Sequence, residues 1–124
     1  MDHLSEKISE SELEVMRVLW EAGDALPITD IRRILQDRKG WEATTVKTLV
    51  QRLVGKGVLE QEKRKVFYYR PMVSESEYSG WAVSGMVQRL FRGSAKALVA
   101  TLVNSDGLSD EDIAELREYF KVED

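Results

Sequence analysis

The change of hydrophobic period at Gly57 constrains this chain more than any other feature. Before it, the stretch Gly40–Lys56 (GWEATTVKTLVQRLVGK) places Val46, Leu49, Val50 and Leu53 on one face of a helix and Thr44, Thr48, Gln51 and Gly55 on the other. After it, Val58–Gln61 and Val66–Arg70 are β-prone runs on either side of the polar turn Glu62-Lys63-Arg64-Lys65. A short amphipathic helix that runs straight into a hairpin commits its apolar face to a core and leaves a small, polar face outside. Threonine hydroxyls and the Gln51 amide suit base edges in a major groove. Lys47 and Arg52, which flank that face, suit phosphates or a base contact.

The upstream residues complete the pattern. Ser9 or Ser11 caps a first helix, because Ser9-x-x-Glu12 and Ser11-x-x-Glu14 both have capping-box spacing. Leu13, Met16, Leu19 and Trp20 form its inward stripe, widened by Val15 and Val18, and Gly23 stops it. Asp24–Pro27 is a turn or an edge fragment. Pro27 fits the first turn of a second helix reaching about Arg38, with Ile28, Ile31, Ile34 and Leu35 inward and Arg32 and Arg33 near the surface. Helix, helix, turn, helix and hairpin is the order of a winged helix-turn-helix. Residues 1–73 are thus expected to form a DNA-binding domain, its first eight residues loose. Phosphate contacts are expected from Arg32, Arg33, Lys56 and the wing-tip residues Lys63, Arg64 and Lys65.

Residues 74–124 carry three further helical patterns, from about Glu77 to Phe91, from Ala95 to Val103, and after the cap Ser109-x-x-Asp112. Tyr78, Trp81, Met86, Leu90, Phe91, Leu98, Leu102, Ile113, Leu116 and Phe120 present more apolar surface than such a short region can bury alone. The expected fold is therefore mainly α: a winged helix-turn-helix domain with a small β-hairpin wing, then a helical dimerisation region. A homodimer would set two recognition helices about 34–36 Å apart on a pseudopalindromic double-stranded DNA operator.

Charge follows the same division. The formal net charge is −4, but Ile28–Arg70 holds eleven Lys and Arg against five Asp and Glu, and Glu75–Asp124 five against ten. With no cysteine and only His3, disulfides, thiol chemistry, histidine triads and Cys- or His-rich metal sites are excluded, and no cofactor is expected. The cluster Asp110, Glu111, Asp112 and Glu115 belongs to the first turns of a helix, where carboxylates favour the dipole, so no enzyme is expected. No signal peptide or apolar run of membrane-spanning length is present, which places the chain in the cytoplasm without a membrane partner. Two other readings stay open: a ligand-sensing winged-helix regulator with Tyr78, Trp81 and Phe91 lining an effector pocket, and a winged-helix protein-interaction module without specific DNA readout.

Four separated motifs carry a specific resemblance: Ile8–Trp20, Trp41–Gly57, Phe67-Tyr-Tyr-Arg-Pro71 and Gly107–Arg117. In this order they resemble the penicillinase-repressor family of winged-helix regulators, the BlaI, MecI and CopY type, over Ile8 to Phe120. The resemblance implies a homodimeric repressor with an N-terminal DNA-binding domain and a C-terminal helical dimerisation region. Carried over by position, it implies DNA contacts by Thr44, Thr45, Lys47, Thr48 and Arg52, with Trp41 beside the backbone; Trp41 is equally a candidate core or hinge aromatic. Family members that respond to β-lactams are inactivated by a protease that cuts an Asn-Phe bond. The matching pair here is Thr101-Leu102, which makes it the candidate cleavage point and a regulatory protease a candidate partner. The Cys-x-Cys pairs of copper-responsive relatives have no counterpart in a chain without cysteine.

Overall fold

A computed structural model describes residues 8–121. His3 and the rest of residues 1–7, expected to be loose, lie outside the described residues; Ile8, expected to be loose as well, is instead buried, its apolar side chain joining the core of the first unit. The elements run α1 (Glu10–Ala22), β1 (Leu26–Pro27), α2 (Ile28–Lys39), α3 (Ala43–Gly55), β2 (Leu59–Lys63), β3 (Phe67–Pro71), α4 (Glu75–Phe91), α5 (Ala95–Asn104) and α6 (Asp110–Tyr119). The chain divides into two compact units, one ending at Val83 and one beginning at Ser84.

In the first unit the helical stripes converge. Val15, Met16, Val18 and Leu19 of α1, Ile31 and Leu35 of α2, and Val46, Leu49, Val50 and Leu53 of α3 are buried in one core with Val58, Leu59, Tyr69 and Val73. Capping begins α1 as its spacing predicts: the Glu12 amide donates to Ser9 Oγ (3.1 Å) and the Ser9 amide to Glu12 Oε1 (2.8 Å). Ser9, not Ser11, is the cap. Gly40 closes α2 at φ 69°, a left-handed conformation that costs glycine little. Gly57 does the same after α3 at φ 76°, and the Val58 amide reaches back to the Leu53 carbonyl at 3.0 Å, so the chain reverses directly into β2.

The three strands are antiparallel in the order β1-β3-β2. The edge-fragment reading of Asp24–Pro27 is realised in β1, which pairs Leu26 with Tyr69 and Pro27 with Tyr68. Pro27 is tolerated on this edge strand and stands at the N-cap of α2, one residue before the expected first turn. In the hairpin, Lys63 pairs with Phe67. Its tip is therefore Arg64–Val66, shorter than the expected Glu62–Lys65, and is closed by the Arg64 amide on the Val66 carbonyl (3.0 Å).

Tyr78 and Trp81, expected at a dimer surface, pack on the core of the first unit. The Tyr78 ring lies 5.9 Å from that of Trp20, whose indole N–H donates to the Val73 carbonyl at 3.0 Å. Burial raises the Tyr78 hydroxyl above its ordinary pKa. The physical reason is proximity: α4 starts two residues after the buried Val73, so its first turns have the core within reach.

The second unit is built differently. Its buried apolar residue among those described is Val87, and neither α5 nor α6 buries a side chain fully. Leu90 and Phe120 are 67% and 68% exposed, and Val99, Leu102 and Val103 are also exposed. Met86, Phe91, Leu98, Ile113 and Leu116 are half-buried. Ser109 and Asp112 exchange the two bonds of a capping box at the start of α6, which accounts for the acidic first turn.

Candidate nucleic-acid interface

The outer face of α3 is set by what its inner face buries. With Val46, Leu49, Val50 and Leu53 anchored, Thr44, Thr45, Lys47, Thr48, Gln51 and Arg52 are all exposed. Thr44, Thr45, Thr48 and Arg52 line one shallow hollow of about 330 Å³. The Thr48 hydroxyl donates to the Thr44 carbonyl at 2.9 Å, which uses its proton within the helix. Its lone pairs and methyl group remain, so Thr48 offers an acceptor for a base amine or an apolar contact to a thymine methyl.

The cations fall into two groups. Arg32, Lys47, Arg52, Lys63 and Lys65 are exposed and form no ion pair among the described residues. Other basic residues are engaged within the chain. Arg33 reaches Asp30 at 3.4 Å, an exposed contact worth little. Arg64 is held by Glu62 at 3.2 Å and lies 4.2 Å over the Tyr68 ring. Arg70 is paired across the strands with Glu60 at 2.6 Å.

Lys56 and Gln51 differ most from their expected roles. Lys56, expected on a phosphate, places its Nζ 2.6 Å from Glu12 Oε1. The Glu12 side chain is only 2% exposed. Burial alone would raise the Glu12 carboxyl, but Lys56 and the Ser9 backbone hold it below its ordinary pKa. The pair fastens the end of α3 to the start of α1. Gln51, expected to read bases, turns its amide toward the wing: Nε2 is 3.3 Å from both Gln61 Oε1 and the Tyr69 hydroxyl, and that hydroxyl donates to Gln61 Oε1 at 3.0 Å. Burial raises the Tyr69 hydroxyl, and the Gln51 amide offsets part of the rise. Helix and wing are thereby joined by polar side chains as well as through the core.

Trp41 takes the core setting of its two expected ones and also reaches the surface. It packs against the core, and with Thr29, Arg32, Arg33, Gln36 and Ala43 it lines a hollow of about 190 Å³ between α2 and the start of α3. A further cavity of about 280 Å³ lies between α3 and the wing, lined by Ile28, Arg32, Lys47, Gln51, Gln61, Phe67 and Tyr69. Gln61 and Phe67 had no place among the expected contacts. In Val66-Phe67-Tyr68-Tyr69 every residue is apolar or aromatic, so alternation does not mark which of them faces solvent.

Comparison with known proteins gives a consistent set of likenesses. A family model described as penicillinase repressor matches residues 8–122. The methicillin resistance regulatory protein MecI of Staphylococcus aureus (strain N315) is 33% identical over 118 residues, covering 94% of this chain and 95% of its own length. The penicillinase repressor of Bacillus licheniformis is 32% identical over 111 residues, or 89% and 86%. Among solved structures, the DNA-binding domain of the repressor BlaI is 36% identical with a TM-score of 0.53, over 57% of this chain and 87% of that one. Monomeric B. licheniformis BlaI in complex with the blaP half-operator gives a TM-score of 0.51 at the same identity and coverage.

Proposed function

The chain belongs to the penicillinase-repressor family, and on that premise we propose that it acts in the cytoplasm as a homodimer that represses transcription from a pseudopalindromic operator. It is a DNA-binding repressor with a winged helix-turn-helix domain. The observation that carries the finer reading is the outer face of α3, where Thr44, Thr45 and Thr48 lie together, flanked by Lys47 and Arg52, which have no ion partner among the described residues. Small hydroxyl side chains let a helix approach base edges, and unpaired cations neutralise phosphates at no cost in broken ion pairs. In this reading α3 enters the major groove, Arg32 and Trp41 lie along one backbone, and Lys63 and Lys65 carry the wing to the next. Arg33 and Arg64 can exchange their exposed carboxylate partners for phosphate, whereas Lys56 and Gln51 hold α3 in place.

The second unit supports dimerisation through Met86, Leu90, Phe91, Leu98, Leu102, Ile113, Leu116 and Phe120, which a second copy would cover. Two linked half-site contacts multiply affinity, so any event that separates the subunits releases the operator. Cleavage at Thr101-Leu102 by a regulatory protease is one such event. The bond lies inside α5, where Thr101 Oγ donates to the Ala97 carbonyl at 2.9 Å and the Leu102 carbonyl accepts from the Gly107 amide at 3.1 Å. A protease would therefore have to unwind the end of α5 first.

The test is selection of genomic fragments on the purified protein, followed by titration of the best-retained duplex against wild type and a Thr44→Ala/Thr48→Ala variant. Enrichment of a two-fold-symmetric site, and its loss in the variant, is the expected result. Uniform retention of all fragments by the wild type would overturn sequence-specific repression through this face.

A further inference from the structure

The 280 Å³ notch between α3 and the wing combines three properties that its position alone does not require. Its aromatic wall, Phe67, is 40% exposed although it shares a strand face with Tyr69, which is 3% exposed. Its uncovered part is apolar surface that a bound molecule could still bury. Two of its lining residues, Arg32 from α2 and Lys47 from α3, are cations without ion partners among the described residues. Its polar lining is internally bonded, because Gln51, Gln61 and Tyr69 hydrogen-bond one another there. A flat apolar wall in the same notch as two positive side chains matches the chemistry of a sugar joined to a phosphate.

We propose that this notch seats one deoxyribose-phosphate unit of the bound DNA strand, with the sugar against the Phe67 ring and the phosphate between Arg32 and Lys47. The inference rests on the DNA-binding reading above and adds Phe67 as a contact residue. It also explains the Gln51–Tyr69–Gln61 cluster, since these residues set the width of the notch and so register α3 against the backbone. Because the seat holds backbone and not base, its contribution is the same on every sequence. The apolar wall should add affinity without adding a salt-dependent contact.

Fluorescence anisotropy separates these elements, using a labelled duplex of the best-retained genomic fragment and a scrambled duplex of equal length, each titrated over a range of salt. Phe67→Ala should weaken both duplexes about fivefold to tenfold per half-site, from the apolar area uncovered, with an unchanged salt slope. Arg32→Ala and Lys47→Ala should each weaken both and lower the slope by about one contact. Phe67→Tyr keeps the ring and should bind like wild type, and an unchanged thermal unfolding transition in Phe67→Ala separates ring loss from any disturbance of folding. The proposal is overturned if Phe67→Ala binds both duplexes as tightly as wild type, if it weakens only the genomic one, or if Phe67→Tyr is as defective as Phe67→Ala. A Thr44→Ala/Thr48→Ala variant that loses preference for the genomic duplex while Phe67→Ala binds normally would remove the seat and leave the repressor reading standing. A wild type that prefers neither duplex would remove the repressor reading itself.

Discussion

Replacing Glu12 should reveal how the recognition helix is held. Its carboxylate accepts from the Ser9 amide at 2.8 Å and from Lys56 Nζ at 2.6 Å, with almost no exposure to water. Glu12→Ala removes both partners. Loss of one half of the capping box costs about 1 kcal/mol. Breaking a buried ion pair costs about 3–5 kcal/mol, but the Lys56 side chain is 29% exposed and has water within reach. About 1–2 kcal/mol of that penalty should survive, giving a total near 2–3 kcal/mol. At about 4–8 °C per kcal/mol, the melting transition of the first unit should fall by roughly 10–20 °C. Glu12→Gln keeps an acceptor for Ser9 and removes only the charge, so its loss should be about half as large. A double-mutant cycle of Glu12→Ala with Lys56→Ala, followed by thermal and urea unfolding of the full chain, isolates the pair; a coupling of about 1–2 kcal/mol is expected. Additive single effects, or a Glu12→Ala loss below about 0.5 kcal/mol, would refute the claim that this link carries α3.

Three further outcomes follow from the same geometry. The Glu12 carboxyl is held below its ordinary pKa, so its contribution to stability is complete above the unfolded value of about 4.3 and is lost as pH falls through the lower folded value; acid titration of unfolding should show a loss there that Glu12→Gln lacks. Lys63→Ala/Lys65→Ala should lower the salt slope of DNA binding by about two contacts, whereas Arg64→Ala, whose charge is already shared with Glu62 and Tyr68, should lower it by less; equal effects would count against this division. Leu90→Glu or Phe120→Glu, each at a side chain about two-thirds exposed in the single chain, should leave the first unit folded but shift sedimentation toward monomer and raise the Kd for the two-fold site by one or more powers of ten; an unchanged dimer would place the subunit contact elsewhere.

Much of the fold is legible because it is written in local periods. The burial of Val46, Leu49, Val50 and Leu53, the exposure of Thr44, Thr48 and Gln51, the stops at Gly23, Gly40 and Gly57, and the caps at Ser9 and Ser109 depend on residues within a turn or two of one another. The two-residue strand at Leu26–Pro27 was legible only as an alternative, since its pairing partners Tyr68 and Tyr69 lie more than forty positions away.

Side-chain allegiance is what the sequence by itself left open. Glu12 and Lys56 are 44 residues apart and Gln51 and Tyr69 are 18 apart, and neither pair shares an element. A lysine near the end of a recognition helix reads as a phosphate ligand, and a glutamine on its outer face as a base reader, until packing places a carboxylate or a phenol beside it. The sequence determined which face of each helix is apolar, because that needs only about 3.6 residues per turn. Only the tertiary structure decided which cations have no ion partner among the described residues, that Tyr78 and Trp81 belong to the first core, and that Phe67 lines a notch with Arg32 and Lys47. Those outcomes depend on distances between elements, which arise when separate apolar faces close on one core and carry their polar margins into contact.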